Sequence, residues 1–574
     1  MPTTLLWLRQ DLRLTDQPAL CAAVEEGDVV PVFILDDALA GPWAMGGAQR
    51  WWLHHSLTAL GRSLEKRGGD LVLRRGDTAD TLAALVREAG ASRIHALRHY
   101  EPWNQATERA VAKVADLELH DGNYLVRPDA ILNGSGSRYR VFTPWYRTMS
   151  EALPPLHPLA APSRIGAPER MPASEVLDDW ALLPRAPDWA GGFADWTPGE
   201  KGAWRRWRSF LETLERYGHD RDYPALEGTS RLSPHLHFGE ISPRCLWSAL
   251  DDRKGAGASA FRRELAWRDH GINLLDQMPD YPERNGREAF ERLGWREGTE
   301  AERDFRAWTR GRTGFPVVDA GMRQLWQTGW MHNRVRMVTA SFLVKHLLID
   351  WRRGERWFWD TLVDADLGSN AMNWQYVAGS GVDAPVFSRI MAPYLQSEKF
   401  DMAGYVRQFV PELRDLDDAR IHALHLKGDP PRGYPRRLIG HEAGRARALA
   451  AWQDMVAARK RLRSGQPDAL PTARRTGRRG RSASLRKRRF RVPRSKASPG
   501  PPRPRWHSAS DANPRPGRRA EPRQGRRPAP PAASRSRTRH RRRDALGSTV
   551  LRHAPSRLAA RCVRAWTRCS RRGR

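Results

Sequence analysis

The chain has 574 residues, long enough for two or three domains with sizeable cores, and a formal net charge of +32. That charge is concentrated: residues 464–574 hold 34 Lys and Arg against 4 Asp and Glu, which leaves 63 against 61 in residues 1–463. Cys21, Cys245, Cys562 and Cys569 show no CxxC spacing, so no disulfide framework or metal site is expected, and a reduced, cytoplasmic setting fits. Charges at Arg9 and Asp11 interrupt any signal-peptide core, and no run of about 18 apolar residues appears, so a soluble protein off the membrane, most simply a monomer, is expected.

Residues 1–130 alternate strand-like and helical patterns. LLWL is followed by an acid-rich helix at 17–26 and by DVVPVFIL, then a helical region around 50–67, DLVLRRG, TLAALVREAG and SRIHAL. This alternation predicts βαβ units and a parallel sheet, with ligand sites at the carboxyl ends of the strands. No GxGxxG or Walker loop follows any of these strands. Residues 131–200, rich in Pro, Ala and Gly, read as a long connector wrapped over the surface, with partial disorder as the alternative. Residues 201–463 are helical in pattern, so the predicted fold class is an α/β domain followed by an all-α domain. Within the helical part, Gly228-Thr229-Ser230-Arg231-Leu232-Ser233-Pro234 combines close backbone approach with hydroxyl and N–H donors at a helix start, which favours anions. A simple helix cap explains the same residues. In Phe261-Arg262-Arg263-Glu264-Leu265-Ala266-Trp267-Arg268, Glu264 and Trp267 share one helical face.

The stretch from Trp330 to Tyr376 carries the densest chemistry. A polar and cationic group (His332, Asn333, Arg334, Arg336) precedes an apolar helical stripe from Met337 to Leu348; past an expected break at Gly354 come Asp364, Asp366, Asn370, Trp374 and Tyr376. A polar cluster walled by aromatics suits a large, flat, polar-edged ligand. The bland reading is a tryptophan-rich core with an Asp-x-Asp cap. From residue 464 onward Arg, Pro, Ser, Ala and Gly dominate and periodicity disappears, so the tail is expected to be disordered. It is open to nonspecific phosphate binding, or is a non-selected extension without function.

In order, Trp330-Met331-His332-Asn333-Arg334, Asp350-Trp351-Arg352, Asp364-Ala365-Asp366 and Asn373-Trp374-Gln375 resemble the flavin-binding core of the DNA photolyase and cryptochrome family. The resemblance runs from the N-terminus to about residue 460 and is closest to bacterial class I cyclobutane pyrimidine dimer photolyases. The opening Trp7-Leu8-Arg9-Gln10-Asp11-Leu12-Arg13, with Asp16, resembles the family's first motif. It implies a domain holding an antenna chromophore, a folate or a deazaflavin, with Tyr100-Glu101-Pro102-Trp103-Asn104 where antenna contacts occur.

The resemblance implies FAD held by Tyr217, Thr229, Ser230, Arg231, Leu232, Ser233, Asn333, Arg336, Asp364, Asp366 and Asn370, with Asp364 pairing Arg336 and Asn370 facing the flavin N5. It implies damaged DNA as partner, with Glu264 hydrogen-bonding the lesion, Trp267 stacking on it, Met337 and Tyr376 shaping the pocket, and Arg221, Arg334 and Arg389 on flanking phosphates. Trp374, Trp351 and Trp295 would relay electrons to the flavin, with Trp308 competing for the outermost place. Two departures stand out: Tyr376 where many members have Trp, and Ser388-Arg389-Ile390-Met391-Ala392-Pro393 in place of the usual rim. Asn333 and Met337 occupy the positions of the two proton-donating histidines of the (6-4) branch, so light-driven splitting of cyclobutane dimers is the implied reaction. The alternatives are a cryptochrome without repair and a nucleic-acid binder acting through its tail.

Overall fold

The computed structural model describes residues 1–424 and 429–463. The basic tail, with its expected disorder, lies outside the described residues. Strands β1 (Thr3–Leu8), β2 (Asp28–Leu35), β3 (Val72–Arg75), β4 (Arg93–Leu97) and β5 (Leu117–His120) form one parallel sheet in the order β3-β2-β1-β4-β5. Helices α1 (Pro18–Glu26), α2 (Gly47–Glu65), α3 (Thr78–Ala89) and α4 (Pro102–Val111) alternate with them as expected. Leu6, Leu8, Phe33 and Leu35 point into a core shared with Trp52 and Leu57 of α2. Leu5, Trp7, Val30 and Val32 point the other way, against Leu82 and Leu85 of α3. Both faces are therefore covered, which explains strands that are apolar throughout. The edge strand β5, LELH, is short and half-exposed, and carries too little pattern to be seen in the sequence.

Residues 131–200 do more than wrap the surface. Ile165, Trp180 and Phe193 are buried in the core over α2, and α5 (Phe142–Ala152) buries Phe142, Trp145 and Met149 against Ala266. Sparse large apolar side chains in a Pro-rich stretch fill gaps without needing a periodic element.

The second half begins with α6 (Glu200–Leu211) and three short helices, α7 (Tyr217–Asp220), α8 (Ser233–His237) and α9 (Pro243–Ser248). It continues through α10 (Ala256–Gln277), α11 (Gly298–Thr309), α12 (Pro316–Thr328), α13 (Asn333–Ser341), α14 (Trp351–Thr361) and α15 (Leu367–Ala378), and ends in the helix His441–Arg463. No strand occurs among its described residues.

Two local expectations change. The apolar stripe does not continue as one α-helix: α13 passes into a π turn at Phe342–His346, and Leu348 then adopts a left-handed φ of 53°. Gly354 does not break the chain but sits inside α14, where a Cβ would lie 2.2 Å from the indole of Trp374. Close packing, not helix termination, requires glycine there. The halves are tied by buried polar bonds: Arg13 Nη1 donates to Asn123 Oδ1 at 2.8 Å and to the Gly239 carbonyl at 3.0 Å, and Trp52 Nε1 donates to Glu240 Oε1 at 2.9 Å.

Candidate cofactor and lesion site

Three segments converge. The turn at 229–233 leads into α8, and Ser233 Oγ accepts from Trp330 Nε1 at 3.3 Å, while the Arg231 guanidinium lies 5.1 Å from the Trp330 ring. Arg231 holds a φ of 49°, and its Nη2 donates to Glu227 at 3.0 Å. His332 opens α13 by accepting from Arg334 N through Nδ1 at 3.1 Å, while its other nitrogen is buried without a hydrogen bond. Burial, then nearby Arg334, pulls His332 down to about 4, so it is neutral near pH 7.

Arg336 reaches the third segment, donating through Nη2 to both Asp364 oxygens at 3.1 and 2.8 Å while its Nε binds the Met331 carbonyl at 2.7 Å. Asp366 caps α15 by accepting from Ser369 N at 2.7 Å. The cap reading of Asp-x-Asp is thus correct for Asp366, and the ion-pair reading for Asp364. Asn370 is nearly buried and fixed by a bond from Nδ2 to the Glu355 carbonyl at 3.2 Å.

Helix α10 crosses α15 at paired glycines: a Cβ on Gly368 would lie 2.8 Å from the Gly271 carbonyl carbon. That approach brings the Glu264–Trp267 face of α10 to the same wall, where Trp267 packs with Ala371 and Met372 of α15. Trp267 also stacks on Phe142, with centroids 3.5 Å apart and planes 9° off parallel. Glu264 pairs with Arg221, whose guanidinium lies 5.3 Å from the Tyr217 ring. Burial, the largest influence, lowers Arg221, but the Glu264 hydrogen bond together with the surrounding Glu264, Asp222 and Tyr217 outweighs it and leaves the guanidinium more basic than usual. Arg334 Nη2 donates to Asp222 at 2.6 Å, so two of the three expected phosphate contacts, Arg221 and Arg334, emerge beside α7. Met337 and Tyr376 are half-buried, Asn333 is exposed, and Arg389 is exposed in the loop preceding the helix Pro393–Lys399.

Among the tryptophans, Trp374 is buried with its ring 4.9 Å from Phe358. Trp351 is buried and donates to Asn285 Oδ1 at 2.9 Å. Trp308 is fully buried, donates to the Thr339 carbonyl at 3.0 Å and meets Trp374 edge-on at 6.3 Å, which removes it as an exposed terminus. Trp295 is half-buried and, with Asp350, lines an open cleft of about 990 Å³.

Several groups here escaped the sequence reading. Both carboxylate oxygens of Glu355 are buried without a hydrogen bond, and burial raises it well above the usual carboxylate range. Asp269 accepts from Leu125 N and Val126 N, yet burial pushes it up to about 7. Buried His237 faces Asp366 and Asp364, and burial lowers it below the ordinary histidine range. A charged residue on the buried face of an otherwise amphipathic helix was the available signal for Glu355.

A backbone turn at a helix start, an Arg–carboxylate pair and a buried amide, carried on helices that also hold orphaned buried polar atoms, have the makings of a polar-walled site for a large cofactor. A family profile described as the FAD binding domain of DNA photolyase matches residues 261–454, and one described as DNA photolyase matches residues 4–163. The chain belongs to the DNA photolyase and cryptochrome family. It is 49% identical over 470 residues to a deoxyribodipyrimidine photo-lyase of Agrobacterium fabrum, covering 78% of this chain and 97% of that one. It is 33% identical to cryptochrome-1 of Arabidopsis thaliana, covering 81% of this chain and 73% of that protein. The crystal structure of a bacterial class III photolyase from Agrobacterium tumefaciens matches with a TM-score of 0.76 at 46% identity, covering 80% of this chain and 98% of that one. That neighbour is class III, whereas the sequence resemblance had set this chain nearest class I. The residues present fit FAD: the unpartnered, buried His332 Nε2 lies at the start of the helix that carries Arg336, and Arg336 in turn holds Asp364.

Proposed function

We propose that this chain repairs cyclobutane pyrimidine dimers in DNA under light. The observation that supports this reading is the close packing of α10, which carries Glu264, on α15, which carries Asn370, with Trp267 against Ala371 and Met372. FAD would be held by the 229–233 turn with Tyr217, by Arg336 and Asp364, and by Asp366 and Asn370. When bound and reduced, it supplies a light-excited electron that opens both bonds of the cyclobutane ring and is then returned, so no net oxidation occurs. The chain's own residues do the remaining work. Asn370, immobilised on the Glu355 carbonyl, presents its amide oxygen as an acceptor to the cofactor edge. Glu264 leaves Arg221 when the lesion enters and hydrogen-bonds the extruded bases, stabilising charge as it develops. Trp267 supplies the stacking wall, with Met337 and Tyr376 completing the pocket. Arg221 and Arg334, with the exposed Arg389, hold flanking phosphates. Trp295, Trp351 and Trp374, in that order from the surface, relay electrons inward to the cofactor.

The domain assignment follows as 1–130 for an antenna domain, 131–200 for the connector, 201–463 for the cofactor and lesion domain and 464–574 for the tail. A second chromophore, a folate or a deazaflavin, belongs at the Tyr100–Asn104 segment, where Tyr100 and Trp43 join the core of the helical half. A monomer acting in the cytoplasm fits this reading; among the described residues no helix is long and apolar enough to cross a membrane.

The experiment is blue-light illumination of the reduced, flavin-loaded protein with DNA containing thymine dimers. Dimer loss in light and not in the dark supports repair. Stable flavin with no loss favours the cryptochrome reading, which the likeness to a plant cryptochrome keeps in view.

A further inference from the structure

The scattered cysteines pointed away from a metal site, but the exposed edge of the sheet carries a different donor set. In the β4–β5 register His95 lies opposite Glu118 and Leu97 opposite His120, so Glu118 and His120 share one face of β5. His95 Nδ1 is 3.1 Å from His120 Nε2 and 4.0 Å from Glu118 Oε2, and His120 Nε2 is 3.7 Å from Glu118 Oε1. Ligand atoms at about 2.0–2.1 Å around a tetrahedral cation stand roughly 3.3 Å apart. The two imidazoles are already near that spacing, and a small rotation brings in the carboxylate.

A second observation concerns the far side of His95. This residue is 0% exposed, and its Nε2 lacks a hydrogen bond, with Glu26 Oε1 at the end of α1 3.4 Å away. A carboxylate behind the non-ligating nitrogen is how metal-bound histidines are oriented. It fixes the proton on Nε2 and leaves the Nδ1 lone pair facing His120 and Glu118. The competitor is Arg93, whose guanidinium bonds Asp116 and Glu26 at 2.8 Å and Glu118 at 3.1 Å. A cation would take Glu118 and leave Arg93 its other two partners.

We propose that His95, His120 and Glu118 bind a divalent cation of the zinc type, with water as fourth ligand and Glu26 supporting His95. Two imidazoles with one carboxylate select borderline cations over magnesium or calcium. The ion would staple the four-residue edge strand β5 to β4, in a position where pairing on one side only leaves the strand weakly held.

The test is titration of untagged, chelator-stripped full-length protein with zinc by calorimetry and with cobalt by visible absorption. The expected result is saturable uptake with a tetrahedral cobalt spectrum, and one equivalent fewer in His120→Gln, a half-exposed position where folding should survive. Glu26→Gln is expected to weaken zinc binding by roughly 10–100-fold without changing stoichiometry. No saturable uptake would overturn the proposal. Equal stoichiometry in wild type and His120→Gln, or a cobalt spectrum dominated by thiolate charge transfer, would assign the metal elsewhere and overturn it equally.

Discussion

Asp269 shows how the site charges its residues' protonation to the fold. Its carboxyl is buried between α10 and the Leu125–Val126 backbone and is pushed up to about 7, against an ordinary value near 3.8. The sign follows from linkage: the folded state holds this proton where the unfolded chain has lost it, so the residue's contribution to stability is greatest below pH 4 and declines as pH rises towards 7. Asp269→Asn is expected to flatten that part of the profile, measured by denaturant unfolding at pH 5 and pH 7.5; an unchanged slope would mean that Asp269 ionises normally. Tyr376 is the residue most exposed to test within the lesion pocket. Tyr376→Trp is expected to tighten dimer-DNA binding a few-fold by enlarging the stacking face, read by gel shift in the dark.

Glycine contacts set the geometry of the helices around the cofactor. Gly354→Ala would drive a methyl group into the Trp374 indole, at an expected cost of about 1–3 kcal/mol in denaturant unfolding, with an altered flavin absorption band because α14 also carries the Glu355 carbonyl that fixes Asn370. An alanine that changed neither would mean that α14 shifts freely. This element also shows where the sequence was readable and where it was not. The βαβ alternation and the shared face of Glu264 and Trp267 followed from local pattern, and the ion pair of Arg336 with Asp364 from the family resemblance. Gly354 was misread as a break because only the packed structure shows the indole occupying its missing side chain. The π turn at Phe342–His346 was illegible for a related reason: an apolar stripe states that a segment is buried, not how its backbone bonds close. Buried Asp269 and His237 meet the segment of Asp364 and Asp366 through tertiary contacts between distant segments, which no local spacing reports, whereas Glu355 had at least a local signal on the buried face of its helix.

In the whole molecule, the near-neutral body and the basic tail separate two kinds of DNA affinity. We assign lesion recognition to Arg221, Glu264, Trp267 and Arg334, whereas the 34 basic residues of 464–574 offer at most phosphate contacts without regard to sequence. Truncation after residue 463 is therefore expected to leave repair per photon unchanged and to reduce the salt dependence of binding to undamaged DNA. Loss of lesion-specific binding on truncation would move recognition into the tail. The decisive measurement is repair yield per absorbed photon at saturating dimer DNA for wild type and Glu264→Ala, alongside the dark binding constant. A fall in yield of roughly tenfold or more, with binding changed only a few-fold, is the predicted result. An unchanged yield would contradict the assignment of Glu264 to the reacting lesion, and with it the reading of the α10–α15 wall as the repair site.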